Sequence, residues 1–269
     1  MQEPSLLLSN SLKLFFISLS ALILFGCPAT DQEIRILVFT KTEGYRHNSI
    51  EEGVEAVKKL GTANNFQVDH TEDAGLFLEE NLRAYKAVVF LNTTMDVLDQ
   101  KQQNDFERYI QAGGGFVGVH AAADTEYDWP WYGKLVGAYF ESHPNNPNVR
   151  KGTFRILDKN HPATDSLPDV WEREDEFYNF KSINPDIHVL VDIDENSYEG
   201  GTNGDNHPMV WYHDFDGGRS FYTALGHTEE SYSEPLFLDH LLGGIMYAVG
   251  GPSHVKLNYG KAHTPRVTG

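Results

Sequence analysis

Gly113-Gly114-Gly115-Phe116-Val117-Gly118-Val119-His120-Ala121-Ala122-Ala123-Asp124 is the stretch that decides the fold. Phe116 to Val119 is a short apolar run of the kind buried in the middle of a parallel sheet, and the glycines ahead of it release the chain from a preceding helix. The run ends in a histidine, three alanines and an aspartate. Ligands of open α/β sheets gather at the carboxyl ends of such strands, which makes His120 and Asp124 candidate functional residues. A histidine satisfied by hydrogen bonds inside the core is the alternative.

Working toward the N-terminus, Ile34 to Thr40 reads as a first strand, with Asn48 or Ser49 placed to cap a helix from about Ile50 to Leu60. Phe66 to His70 alternates like a strand, Leu76 to Leu82 suits a short helix, and Ala87 to Leu91 is a buried strand. Asp99 to Ala112 has helical spacing. The alternation predicts a flavodoxin-like, doubly wound, mostly parallel sheet with right-handed crossovers. Beyond a helical piece over Trp129 to Leu135, the runs Val149 to Leu157, Glu176 to Phe180, His188 to Ile193, Met209 to Tyr212 and Arg219 to Ala224 predict antiparallel additions to that sheet. A helix from about Pro235 to Val249 closes the domain, Ser197 to Asn206 reads as a mobile loop beside the site, and the tail after Gly250 is expected to be loosely held.

Leu14 to Phe25 is continuously apolar behind Lys13 and too short for a comfortable membrane span. Leu24-Phe25-Gly26-Cys27 matches a bacterial lipobox, so residues 1–26 are expected to be a lipoprotein signal peptide and Cys27 the lipidated residue, with 27–33 as a linker. That places the protein in the bacterial cell envelope, periplasmic or associated with the outer membrane, with membrane contact through the anchor alone. Cys27 is the only cysteine, which excludes an intrachain disulfide, a cysteine-based zinc cluster and any other thiol nucleophile. Residues 34–250 are then a single domain and 251–269 a tail. The chain carries 21 Lys plus Arg against 39 Asp plus Glu, a net charge of −18. Such a surface repels nucleic-acid phosphates and anionic lipid heads.

Among the 12 histidines, His47, His120, His143, His161, His207 and His227 fall in loops after strands, where a rigid sheet presents functional groups. His213 and His240 read as surface or helix-face residues. Glu43, Arg46 and His47 follow the first strand within reach of a crevice ligand; the alternative is a capping loop in which Arg46 pairs with Glu51 or Glu52. His161 before Pro162 reads as a rigid loop residue, whereas His143 follows the helix that starts after the His120 turn. Glu174-Asp175-Glu176 enters a strand, so only one or two of these acids can face a site; Asp175 or Glu176 is a candidate general acid or base. Gly226 before His227 permits close ligand approach. Histidines with one acid suit a divalent metal such as zinc, with His120, His227 and His143 as candidate ligands. Gly-x-Ser-x-Gly is absent, and Gly118-Val119-His120-Ala121-Ala122 puts a histidine in the elbow-like place.

From roughly Ile34 to Gly250 the chain resembles the ThuA-like family, named for trehalose utilisation. The matching stretches are Phe39 to His47, Gly113 to Asp124, His161-Pro162-Ala163-Thr164, Glu174 to Tyr178, Pro208 to Trp211, and Gly218 to Tyr222 leading to Leu225-Gly226-His227. The resemblance implies a class I glutamine amidotransferase-like fold and a place in sugar catabolism, including that of 3-keto-disaccharides. True amidotransferases hold a cysteine in the elbow, and here the position resembles His120, which argues against amidotransfer. The expected protein is an exported enzyme acting on a glycoside or 3-keto-sugar. His120 and His227 would serve as acid/base or metal-binding groups and Glu176 or Asp124 as the carboxylate partner, with Glu43, Arg46, His47, His143 and Trp129 around a small carbohydrate. Trp131 and Tyr132 would offer further faces to a sugar ring. A non-catalytic carbohydrate-binding lipoprotein and a zinc hydrolase of amides or esters stand as alternatives.

Overall fold

Five strands of a computed structural model carry the parallel part of the sheet: β1 (Ile34–Phe39), β2 (Phe66–Thr71), β3 (Ala87–Leu91), β4 (Gly115–Val119) and, far along the chain, β11 (Gly218–Thr223). The structure describes Met1, residues 34–251 and residues 256–267. Cys27 and the proposed signal segment lie outside the described residues. Among these residues no helix is long and apolar enough to cross a membrane.

Between β4 and β11 come β5 (Tyr139–Ser142), β6 (Val149–Ile156), β7 (Val170–Glu176), β8 (Asn179–Lys181), β9 (His188–Ile193) and β10 (His207–Phe215). The main sheet has nine strands in the order β2-β1-β3-β4-β11-β10-β9-β6-β7, and every pair from β11 to β7 is antiparallel. The expected α/β sheet with antiparallel additions is therefore present. A feature not foreseen is that β5 and β8 leave it to form a separate two-stranded sheet. β3 and β4 are buried at every position, as apolar strands covered on both faces must be.

Alternation along the strands assigns the covering helices. Phe116 faces Phe106 of α3 (Gln100–Gln111) and Tyr132 of α4 (Pro130–Val136), while Phe221, in register with Val117, packs on Gly244 of α5 (Pro235–Ala248). α3 begins with a reciprocal capping box between Asp99 and Gln102, and Gly113, at φ +102°, turns the chain out of it into β4.

Several expectations needed correction. α1 runs Ile50–Asn64, and Ser49 makes no side-chain cap; its hydroxyl donates instead to the Gly226 carbonyl at 3.2 Å. The predicted helix over Leu76 to Leu82 is a 3-10 turn at Ala74–Leu76 followed by the single turn α2 (Glu79–Leu82). The loop before His207 is tied down: Glu195 accepts from the backbone N–H of Asn203 and Gly204, and the Asn203 side chain bonds both backbone groups of Phe180. The described tail is held as well, because Gln111 accepts from the N–H groups of His263 and Thr264 and Arg266 reaches Glu79.

His240 is fully buried rather than on a helix surface. Its Nδ1 donates to the Ala163 carbonyl at 2.7 Å, and burial foremost pushes its pKa down to about 4. His213 is buried too, with Nε2 donating to the Lys134 carbonyl. A histidine whose folded pKa lies below its unfolded value of about 6.5 binds its proton preferentially in the unfolded state, so its contribution to stability is complete above pH 6.5 and disappears as pH falls toward 4. For His240 that is roughly 3 kcal/mol. Urea unfolding of wild type should weaken steeply across this window, and His240→Gln should flatten the dependence; parallel pH profiles would contradict the assignment.

Candidate metal site

His47, His120 and His227 follow β1, β4 and β11 respectively, at the carboxyl ends of parallel strands, and Glu176 is the last residue of β7. These side chains converge: each offers a ligand atom, and all those atoms lie within 4.8 Å of one another. Glu176 Oε2 is 3.3 Å from His120 Nε2 and 3.2 Å from His227 Nδ1, and the two nitrogens are 3.3 Å apart. The His47 ring stands edge-on to both, with centroids at 5.0 and 5.1 Å.

The backbone at His120 explains how a strand can end in a functional side chain. His120 has φ +48°, the left-handed region, and starts the 3-10 turn His120–Asp124. That tight strand-to-turn bend is the elbow geometry anticipated from Gly118 to Ala122. The Tyr222 hydroxyl donates to the His120 carbonyl at 2.7 Å, and the ring lies against Tyr178 at 4.1 Å between centroids. His120 Nδ1 donates to the Ala224 carbonyl at 2.7 Å, which leaves the Nε2 lone pair facing Glu176 and His227. Metal-binding histidines are oriented by such a bond from the other ring nitrogen.

The loops carrying His47 and His227 are tied together. The Gly226 carbonyl accepts from Ser49, Asn92 and Tyr232, and Gly226 sits at φ +106°, where a side chain would be strained and its Cβ would press on the Tyr232 hydroxyl. Ser49, expected to cap α1, thus positions the site instead.

The electrostatics are those of a cation site. Burial foremost, and then His120 and His227, push the His47 pKa down to about 2, so its imidazole is neutral. Burial acts to raise the Glu176 pKa, yet the adjoining His120 and His227 imidazoles hold it well below the usual carboxylate range. His227 is shifted up despite burial, because Glu176 lies beside it. His47 Nδ1 is buried without a hydrogen-bond partner among the described residues. Three imidazoles and one carboxylate suit a borderline divalent transition metal better than magnesium or calcium. Metal–ligand bonds of about 2.0–2.2 Å put tetrahedral donors roughly 3.3 Å apart, close to the spacing of His120, His227 and Glu176.

Above this group opens a pocket of about 380 Å³, within the range of small-molecule sites. His47, Glu176 and His227 form part of its wall, with Asn148, His143 and Asp124 as further polar groups and Tyr45, Phe140 and Tyr178 as aromatic ones. Asn148 donates to Glu176 Oε1 at 2.7 Å. Asp124 accepts from the Tyr127 hydroxyl at 2.5 Å; burial foremost raises its pKa, against the effect of that bond. A larger and more open cleft of about 720 Å³ lies beside Lys134 and Asp186, away from the histidine group.

The candidates from sequence fall into two sets. His227, Glu176, His47, His143 and Asp124 line the pocket, and His120 is buried against Glu176 and His227 behind it. His143 is not in the metal-competent group, because its Nδ1 approaches the Pro144 carbonyl at 2.9 Å and reaches Glu176 only at 3.5 Å. His47, expected to touch substrate, occupies that place. Glu43, Arg46 and Trp129 do not line the pocket: Glu43 pairs with Lys41, Arg46 with Glu51 and Glu72, and Trp129 packs on Phe106 with its Nε1 donating to Glu107. His161 and His207 are structural, the first accepting from the Ala163 N–H and the second bonding Glu195 and the Tyr178 carbonyl.

Sequence reasoning missed Asn148, Tyr178 and the true setting of the acidic run, which ends strand β7 rather than entering one. The loop histidines after β1, β4 and β11 were legible as candidates, but Asn148 and Tyr178 carry no comparable signal.

The ThuA family profile, described as trehalose utilisation, matches residues 35–248. No curated protein sequence matches the chain. Among solved structures the chain is similar to a protein described as ThuA-like from Bacteroides uniformis, at 24% identity and TM-score 0.70 over 82% of this chain and 94% of that one. A second ThuA-like protein, from Parabacteroides merdae, shares 22% identity and TM-score 0.65 over 81% and 91%. A Bacillus circulans β-galactosidase matches at 15% identity and TM-score 0.53, over 80% of this chain and 31% of the enzyme. At these identities the likeness is one of fold.

Proposed function

This chain belongs to the ThuA family, and from that premise we propose that it processes a small carbohydrate, a glycoside or 3-keto-sugar, at a metal-dependent, histidine-centred site. One observation carries the reading: His47, His120, His227 and Glu176 bring their ligand atoms together as a group able to hold a cation, beside a pocket that also holds a half-buried acid, Asp124. Aromatic faces at Tyr45, Phe140 and Tyr178 suit the apolar side of a sugar ring. Asn148 and His143 offer hydrogen bonds to hydroxyls.

A divalent metal held by the four residues would polarise a sugar carbonyl and so acidify the neighbouring C–H bond. Asp124, its pKa raised by burial, is then the base that takes this proton. Tyr127 fixes the carboxylate through its hydroxyl. The electron pair left on carbon moves toward the carbonyl, and departure of the glycosidic oxygen from the next carbon completes an elimination in which the proton goes to the leaving oxygen. The pocket's modest volume favours one ring bound deeply over an extended polymer.

The test is incubation of the protein with disaccharides and their 3-keto forms, before and after chelation and after zinc or manganese is restored. Metal-dependent consumption of a keto-sugar is expected, with Asp124→Asn lowering kcat by about 10²–10⁴ while metal content stays unchanged. Glycan binding without turnover in every condition would sink the enzymatic reading and leave a binding protein.

A further inference from the structure

We propose that Asp175 is the positioning residue of the metal site, a carboxylate clip that fixes the backbone of two of the four metal-binding residues at once; this rests on the metal-site reading above. Asp175 Oδ1 accepts from the backbone N–H of its neighbour Glu176 and from that of His227, each at 3.0 Å. Oδ2 accepts from the Gly226 N–H at 2.9 Å, from Arg173 Nη2 at 2.9 Å and from the Ser231 hydroxyl at 3.4 Å. Every group facing this fully buried side chain is a donor. Only an ionised carboxylate, with lone pairs and no hydrogen, satisfies such a ring.

The acid has no access to the pocket, so it acts through others and not on substrate. Arg173, equally buried, sits between Trp171 and Phe237 at 4.8 and 4.9 Å from their ring centroids and also reaches Glu234, which precedes α5. The end of β7, the loop after β11 and the start of α5 are therefore joined at one ion pair. Glu176 and His227 come from segments 51 residues apart in sequence, and Asp175 is the atom-level link that sets their separation.

Metal-site supporting groups commonly change metal affinity by 10–100-fold when replaced. Asp175→Asn turns an amide N–H2 into the ring of donors and should weaken Zn²⁺ affinity by about 10–100-fold, read by competition with a chromophoric chelator. The visible spectrum of the Co²⁺-loaded variant should also differ from wild type, because the Glu176–His227 spacing relaxes; a purely structural role would lower the melting temperature and leave that spectrum alone. Should Asp175→Asn fail to fold, Arg173→Lys keeps the charge but loses the guanidinium fork and should weaken Zn²⁺ binding in the same direction. Wild-type affinity and spectrum in whichever variant folds would overturn the assignment. A wild-type protein that takes up no Zn²⁺ would overturn both this inference and the metal reading beneath it.

Discussion

His227→Ala is expected to lower Zn²⁺ affinity by a factor on the order of 10³, roughly 4 kcal/mol, and to abolish metal-dependent turnover. Its side chain is only partly buried, so the metal-free protein should still fold. His47→Ala should lose metal comparably, whereas His143→Ala should bind Zn²⁺ within a few-fold of wild type and alter KM instead. Calorimetric titration of the three variants decides between the histidine set expected from sequence and the set brought together in space. A His143 variant as defective as the His47 variant would refute the grouping.

The second large effect concerns the core beneath the site. Trp211 of β10 is completely buried, stacks on Tyr222 at 4.4 Å and donates from Nε1 to the Val136 carbonyl at 2.8 Å. Trp211→Ala leaves a cavity and an unpaired carbonyl, and should cost about 3–5 kcal/mol of stability. Tyr222 also holds the His120 carbonyl, so a looser Tyr222 should weaken metal binding as well. Urea midpoints measured with and without Zn²⁺ separate the two losses, and a stability change below about 1 kcal/mol would show that Trp211 is not the packing anchor.

Four of the five parallel strands, from Ile34 to Val119, were legible as short apolar or alternating runs, whereas Arg219 to Ala224, expected among the antiparallel additions, lies parallel to β4 and antiparallel only to β10. His120 was legible for a related reason, since a polar side chain at the end of a fully buried run has few places to go but the sheet edge. The acidic run was not. Phe177 and Tyr178 continue the look of a strand, but the β6 ladder pairs Val149 with Glu176 and stops there, so the chain turns just where alternation suggested it began. His143 and His47 were exchanged because linear spacing carries no record of loop curvature. His143 directly follows β5, a strand of the separate small sheet, whereas the Ser49–Gly226 bond ties the His47 loop to the loop that carries His227. Arg46 illustrates the ordinary outcome for a surface charge: one of its partners, Glu51, was anticipated, and Glu72 satisfies it further.

The insertion of β11 beside β4 has a consequence for biosynthesis. A nascent chain can build β1 to β4 as soon as they emerge, but the sheet between β4 and β10 stays open until the strand at Gly218–Thr223 is made. His47 and His120 wait for His227, and Glu176 for the loop that clips it. A bound ion would therefore report that synthesis of the sheet is complete, and would lock the last strand to the first.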